Sequence, residues 1–297
     1  METQLLEAFV AVVNANSFSR AAEQVQLTQP AISKRIAQLE EQLNCRLFDR
    51  IGRKVSLTEA GAALLPRAQN LLQELDDTRQ HIRDLSGAVA GNLRLAISHH
   101  LGLHRLPPVL KAFVSRYPEV ALDVEFMDSE VAYEAIRNGH FELALITLAP
   151  RQHPKILATT IWPDPLQLVS AADHPLAAYA KINISDLAQY PAILPALNTY
   201  TGRMIKQFFD RNDLPLNTSM TTNYLETVKM MTSVGLGWSM LPGTMVDHTL
   251  VSLDCKNLDI ERQLGLIHHR DKTLSNAAQA FIELLHTQAP ETRKVKP

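Results

Sequence analysis

The chain has only two cysteines, Cys45 and Cys255, in 297 residues. They stand far apart, so no disulfide framework is expected and both read as free, partly buried thiols. Long hydrophobic runs are also missing. Nothing approaches the roughly 18 consecutive apolar residues that a spanning helix needs, and the start METQLLEAFV has neither a basic leader nor a small-residue cleavage site. A cytoplasmic protein without a membrane partner is the expectation. Charge of one sign is scarce, with 29 Lys and Arg against 31 Asp and Glu and a net charge of −2. That balance excludes a generalised polyanion coat, because non-specific nucleic-acid affinity comes from many basic side chains neutralising phosphates. Catalytic signatures are absent as well: there is no phosphate loop, GxSxG elbow, dinucleotide fingerprint or HExxH motif. Gly235-Leu236-Gly237 is too short for a nucleotide fingerprint and reads as a close approach between helix and strand. Neither an enzyme nor a cofactor is expected.

What is present is a globular composition, 46% apolar and 20% charged, in a chain long enough for two or three domains. Leu5, Leu6, Phe9, Val10, Val12 and Val13 predict an amphipathic helix over 3–14. Asn14 to Ser17 end it, and Ser19 can cap a short second helix through Val25. Thr28 suits an N-cap, with Gln29 at N1 and Pro30 in the first turn, where its missing N–H costs nothing. A third helix follows from Gln29 to Leu43. Its stripe Ile32, Ile36, Leu39 and Leu43 is core, which leaves Gln29, Ser33, Lys34, Arg35 and Gln38 on its other faces. Gln and Ser are base-edge readers, and Lys and Arg address guanine or phosphate. On a lone helix, an ordinary solvated face would be the simpler reading.

The context changes that reading. After Asn44, which tolerates a left-handed backbone, 46–50 and 55–57 alternate around Gly52-Arg53-Lys54 as a two-stranded wing. Between Thr28 and Leu57 six basic side chains face three acidic ones, a local nucleic-acid footprint in a nearly neutral chain. The layout is a helix-turn-helix over about 18–43 with a wing over 46–57.

The run SFSRAAEQVQLTQPAISKRIAQLEEQLNCRLFDRIGRKVSLTEAG closely resembles the winged helix-turn-helix of LysR-type transcriptional regulators, over about 60 contiguous residues. The resemblance implies that Gln29, Pro30 and Ser33, behind the cap Thr28, approach bases. It places Lys34, Arg35, Arg53 and Lys54 near backbone or groove. Asn44 departs from the glycine often found there, and asparagine accepts the same backbone.

Thr58 is an N-cap candidate for a helix running to about Ser86. Leu64, Ala68, Leu71, Leu75, Thr78, Ile82 and Leu85 recur at alternating four- and three-residue steps, a heptad seam. A single helix buries such a stripe by pairing with a second copy, so a homodimer is expected. The resemblance implies the same, with dimers often joining as tetramers through their C-terminal domains. A two-fold dimer implies half-sites about one helical turn apart, or a multiple of it. The domain reading is therefore 1–58 DNA-binding, 58–87 linker and 92–297 effector-binding.

From Asn92 onward short β-like runs alternate with helices, which implies α/β sheets. Strands are predicted at 93–97, 120–126, 142–146, 166–170, 192–194, 219–222, 236–240 and 264–268. Helices are predicted at 106–117, 130–138, 202–212, 225–234 and 276–287. Pro163 and Pro165 read as an interruption, and the last strand and helix return to the first subdomain. Lobe I is then 92–162 with 267–297, and lobe II is 163–266. This layout resembles the family's effector domain, a two-lobed fold like that of periplasmic solute-binding proteins. The resemblance implies a pocket at strand ends and helix starts: Ser98, His99, His100, Met127 to Ser129, Thr147, Asn198, Thr199, Tyr200, Thr201, Asn223 and Tyr224.

Such groups near helix N-termini suit a carboxylate or inorganic anion, while simple capping remains the alternative for each. The stretch Thr199-Tyr200-Thr201-Gly202-Arg203 is similar to the threonine-rich ligand loop of family members that sense sulfur metabolites. His99, His100 and His104 with His268 and His269 raise a metal reading. It is disfavoured because cysteine ligands are absent nearby and only His100 and His104 share an i, i+4 spacing. Protonation of His99 or His100 against an anionic ligand is the other reading. A transport-type solute-binding protein would carry an export signal and no basic wing. The expected function is therefore a sequence-specific transcriptional regulator answering to a small, anionic metabolite. Its expected partners are double-stranded operator DNA, that effector and a second copy of itself, with RNA polymerase as a further candidate.

Overall fold

The computed structural model describes residues 2–51 and 54–288. Two compact units divide at Ser86 and Gly87.

The first unit begins with α1 (Thr3–Ala15), α2 (Phe18–Gln24) and α3 (Gln29–Leu43). Phe9, Ile32, Ile36 and Leu39 are fully buried where these helices cross, and Phe48 adds its ring 5.3 Å from Phe9 and 5.7 Å from Phe18. Ser17, not Ser19, caps α2, its hydroxyl accepting from the Arg20 N–H at 3.4 Å. The earlier start puts Phe18 inside the helix, where its ring reaches that core. The α3 boundaries are as predicted: Thr28 Oγ1 accepts from Ala31 N at 3.3 Å, and Asn44 closes the helix at φ 50°. The wing pairs β1 (Phe48–Ile51) with β2 (Lys54–Leu57), antiparallel. Thr58 joins the wing to the next helix by donating to Arg46 O at 2.7 Å and accepting from Gly61 N at 3.0 Å.

That helix, α4 (Glu59–Asp84), divides the predicted seam. Ala68 is buried and Leu64 half-buried in the core of their own head, whereas Leu71, Leu75, Ile82 and Leu85 are 47%, 39%, 64% and 77% exposed. The N-terminal end of the stripe thus already has partners, because α4 packs on α1 before running on.

The second unit is α/β. Its first half contains β3 (Gly91–Ile97), α5 (His99–His104), α6 (Pro107–Arg116), β4 (Val120–Phe126), α7 (Ser129–Arg137) and β5 (Leu143–Thr147). The long β6 (Ile156–Ser170) leads to α8 (Ile184–Leu187), β7 (Ala192–Leu194), α9 (Tyr200–Arg211), β8 (Thr218–Thr221), α10 (Leu225–Ser233) and β9 (Ser239–Pro242). β10 (Val251–Ser252), β11 (Glu261–His269) and α11 (Asn276–Gln288) complete it. β3 pairs in parallel with β4 on one side and β5 on the other, and β11 bridges β5 to β6, antiparallel to both. β9 and β10 pair with the far end of β6, while β7 and β8 form a separate parallel pair.

The prolines correct the prediction. Pro163 and Pro165 do not interrupt the chain but lie inside the fifteen-residue β6. Over 156–165 that strand has only β11 beside it, so an edge remains where a missing N–H costs no ladder bond. β6 and β11 are thus the strands that pass from one half of the domain to the other. Leu95, Phe113 and Phe281 lie in the core on one face of the first sheet, and Ile136, Ile146 and Ile267 in that on the other. The second half centres on Trp238, stacked on Phe209 at 5.7 Å, its indole N–H donating to Leu187 O and Tyr190 O. Gly237 allows this packing, since a Cβ there would lie 2.2 Å from Pro191 O.

Candidate functional site

Two groups of residues carry chemistry. In the first unit, Thr28, Gln29, Pro30 and Lys34 are exposed at the start of α3, with Ser33 half-buried beside them. Gln29 Nε2 donates to Ser33 Oγ at 3.1 Å, so the two form one polar pair, one turn apart on the helix surface. Arg35 is held back against α1, its guanidinium donating to Gln4 Oε1 at 3.0 Å. The predicted wing contact Arg53 and the Lys54 side chain lie outside the described residues.

In the second unit the carboxyl ends of β3, β4 and β5 meet. β3 lies between the other two, so the connections leave it in opposite directions and open a crevice where α/β sheets hold ligands. Ser98 follows β3, Asp128 and Ser129 follow β4 into α7, and Thr147 ends β5. From the facing lobe, Pro195 follows β7, Thr199 caps α9, and Asn223 precedes α10. Together with His99, His100, Met127, Glu130, Tyr200, Thr201, Leu225 and Arg262 they line a cavity of about 60 Å³. One ordered water needs roughly 10–15 Å³ on this scale, so the space suits a ligand of a few heavy atoms.

Each wall is fixed by its own bonds. Ser129 Oγ accepts from Thr147 N at 3.1 Å, and Thr199 Oγ1 accepts from Gly202 N at 3.0 Å. Gly202 is required there, because a Cβ would fall 2.2 Å from Ala196 O. Asn223 donates to Asp128 Oδ2 at 2.7 Å and accepts from Ala196 N, which ties the lobes across the cleft. Glu130 Oε1 accepts from Tyr200 N–H at the start of α9, and His104 Nε2 lies 2.6 Å from Glu226 Oε1. Burial above all, then the Glu130 carboxylate and Tyr133, pushes the Tyr200 phenol up to about 12, so it stays protonated.

At the inner end, Arg262 Nε donates to Asp164 Oδ2 at 2.6 Å and Nη1 to Thr201 Oγ1 at 3.4 Å, and Arg105 approaches the same aspartate at 3.5 Å. Two guanidinium groups therefore share one buried carboxylate. Arg262 Nη2 and both ring nitrogens of His100 are buried without a hydrogen-bond partner. Burial first, then Arg262, His104 and Arg105, pushes the His100 imidazole down to about 2, so it is neutral near pH 7.

Of the predicted cleft residues, Ser98, His99, His100, Met127, Asp128, Ser129, Thr147, Thr199, Tyr200, Thr201 and Asn223 converge on the cavity. Asn198 and Tyr224 are exposed outside it; Tyr224 packs its ring on His99 at 4.8 Å. Glu130, Pro195, Leu225 and Arg262 were not indicated by sequence. A lone arginine ahead of an apolar strand, and an aspartate between two prolines, were the signals available for the Arg262–Asp164 pair. Among the described residues no three His, Cys, Asp or Glu gather as metal ligands would, and no helix is long and apolar enough to cross a membrane. Cys45 and Cys255 are free.

Comparison with known proteins matches both units. Residues 3–62 match the bacterial regulatory helix-turn-helix protein family model, lysR family, and residues 86–290 match the LysR substrate binding domain. The chain is 30% identical over 284 residues to the HTH-type transcriptional activator CmpR of Synechocystis, covering 94% of this chain and 93% of that protein. Its fold is that of full-length CbnR complexed with its target DNA, with a TM-score of 0.71, 20% identity, and 97% and 99% of the two chains covered. It is also that of the regulatory domain of CcmR from Synechocystis PCC6803 in complex with 2-PG, with a TM-score of 0.62, 22% identity, and 68% and 99% covered. Both units, in this order, show that the chain belongs to the LysR family of DNA-binding transcriptional regulators, with an N-terminal helix-turn-helix and a C-terminal effector domain.

Proposed function

We propose that the chain acts as a homodimer, or as a tetramer built from dimers, that reads DNA through the start of α3 and answers to a small metabolite presenting an anionic group, held between the lobes. The observation that carries the ligand reading is the cleft's inner end. An arginine nitrogen and a neutral histidine lie buried and unpartnered beside Thr201 in the first turn of α9. Buried polar groups left without partners are costly unless a ligand satisfies them, and a helix N-terminus favours an anion. The regulatory domain of CcmR, which has the same fold, is a complex with a small molecule, 2-PG. Pairing is supported by the exposed Leu71, Leu75, Ile82 and Leu85 on α4, since burying such a stripe against a second copy removes it from water.

The reading divides the DNA contacts by role. Gln29 and Ser33 meet base edges behind the Thr28 cap and Pro30, while Lys34, Arg35, Arg53 and Lys54 hold phosphate or groove. Ligand that prefers one closure of the lobes shifts the population toward it, and with it the spacing of paired heads. The test is thermal unfolding of the full-length protein against small carboxylates, inorganic anions and amino acids. A binding molecule raises the melting temperature with concentration, and Ser98→Ala or Thr201→Ala lowers that response while DNA binding persists. A ligand whose calorimetric affinity is the same in both variants would place its site elsewhere.

A further inference from the structure

The cleft holds both signs of charge. Its inner end has Arg262, 4% exposed, and the neutral His100, 7% exposed, with one guanidinium nitrogen and two ring nitrogens lacking partners. Its lobe I rim has Asp128 and Glu130, at the turn into α7. Asp128 uses Oδ2 for Asn223, and Glu130 uses Oε1 for the Tyr200 N–H. Each thus keeps a second carboxylate oxygen beyond these bonds. Among the cavity's lining residues these two carboxylates are accompanied by one guanidinium, that of Arg262, which already shares Asp164, and by the imidazoles of His99 and His100.

That arrangement discriminates between ligand classes. A compact dianion such as a phosphate would gain Arg262 but meet two carboxylates lining the same small cavity, and Glu130 already holds the first α9 amide that such an anion would seek. A simple amine would gain the carboxylates and leave the buried Arg262 and His100 nitrogens unsatisfied. A molecule with a carboxylate at one end and an ammonium at the other satisfies both ends, and its own charges cancel as it leaves water.

We propose that the cleft selects a small zwitterion of the amino-acid class, its carboxylate held by Arg262, His100 and Thr201 and its ammonium by Asp128 and Glu130. This rests on the reading of the cleft as the effector site, and it adds a cationic end to the anionic group proposed there. The cavity size favours the smallest members of the class.

The experiment is calorimetry and thermal unfolding of the full-length protein with matched pairs that differ only in amino or hydroxyl: glycine and glycolate, alanine and lactate, aspartate and malate, glutamate and 2-hydroxyglutarate. Inorganic phosphate is the anion control. At least one amino acid is expected to bind tenfold or more tighter than its hydroxy acid, and phosphate to bind more weakly than that amino acid. Glu130→Gln and Asp128→Asn keep shape and hydrogen bonding while removing charge, so each should reduce the amino-to-hydroxy affinity ratio about tenfold, the loss expected of one charge-assisted hydrogen bond. A merely structural role for these carboxylates would lower both affinities together and leave the ratio unchanged. Hydroxy acids or phosphate binding as well as the amino acids, or a ratio that survives both substitutions, overturns the zwitterion while leaving the cleft as the site, provided Thr201→Ala still weakens binding. Binding indifferent to Thr201→Ala, or no binding by any member, overturns the cleft reading as well.

Discussion

The residues proposed to meet base edges lie within one helix and its cap, from Thr28 to Ser33, whereas the cleft draws on the ends of β3, β4, β5 and β7, the starts of α5, α7, α9 and α10, and an arginine of β11. The head's polar residues are mostly exposed, and the core holding α3 consists of other side chains, Ile32, Ile36 and Leu39. In the effector domain the same residues both line the cavity and join its walls. Arg262 binds Asp164 across a separation of 98 residues, and Glu130 meets the α9 backbone across 70. Substitution should therefore separate binding from stability in the head and leave them entangled in the cleft.

The largest expected effect is that of Asp164→Ala. It leaves Arg262 buried and uncompensated beside Arg105, which costs about 3–5 kcal/mol; chemical denaturation of the full-length protein measures it. A loss under 1 kcal/mol would make this pair incidental and erase the contrast with the head. Gln29→Ala and Ser33→Ala should do the reverse, changing stability little while removing about 1–3 kcal/mol of discrimination at the contacted base pairs. Competition between a selected DNA site and random DNA reads this directly. Equal losses on both DNAs would show that these side chains hold phosphate, and Arg53→Ala is the variant expected to behave that way, with a flatter salt dependence.

The next effect depends on pH. Burial holds the His100 imidazole at about 2, against 6.5 when free. Above 6.5 neither folded nor unfolded chain carries the proton. Below it the unfolded chain binds one that the folded chain refuses, so stability falls as acid is added. Between pH 7 and 5 this one residue contributes about 2 kcal/mol of loss. His140, His174 and His268 are shifted in the same direction by burial and add to the slope. Parallel melts of wild type and His100→Asn should therefore converge toward pH 5, and curves that stay parallel would contradict a neutral, unpartnered His100. Smallest is Thr28→Ala, which removes the α3 cap for about 1 kcal/mol and should lower head stability while cleft affinity stays constant.

The same contrast explains what could be read from the amino acids. Thr28, Asn44 and Thr58 announce helix ends through short-range bonds, so α3 and the start of α4 were legible to the residue. Ser17 displaced Ser19 because the Phe18 ring reaches Phe48, a contact thirty residues on that no local pattern contains. The α4 heptad was visible, but not that Ala68 and Leu64 would be taken by their own head. In the effector domain, strand ends and helix starts indicated eleven of the cavity's fifteen lining residues, since polar side chains cluster there. Arg262 and Glu130 act through partners on distant elements. The prolines of β6 misled because proline marks a break only where a second neighbour requires its N–H.

Occupancy of the cleft is proposed to change how paired heads hold DNA. The most direct test is the footprint and bend of the full-length protein on DNA selected from a random pool, without ligand and at saturation with the amino acid that most raises its melting temperature. A changed footprint boundary or bend angle is expected at saturation, lost in Thr201→Ala. An identical footprint and bend with the cleft fully occupied would contradict it.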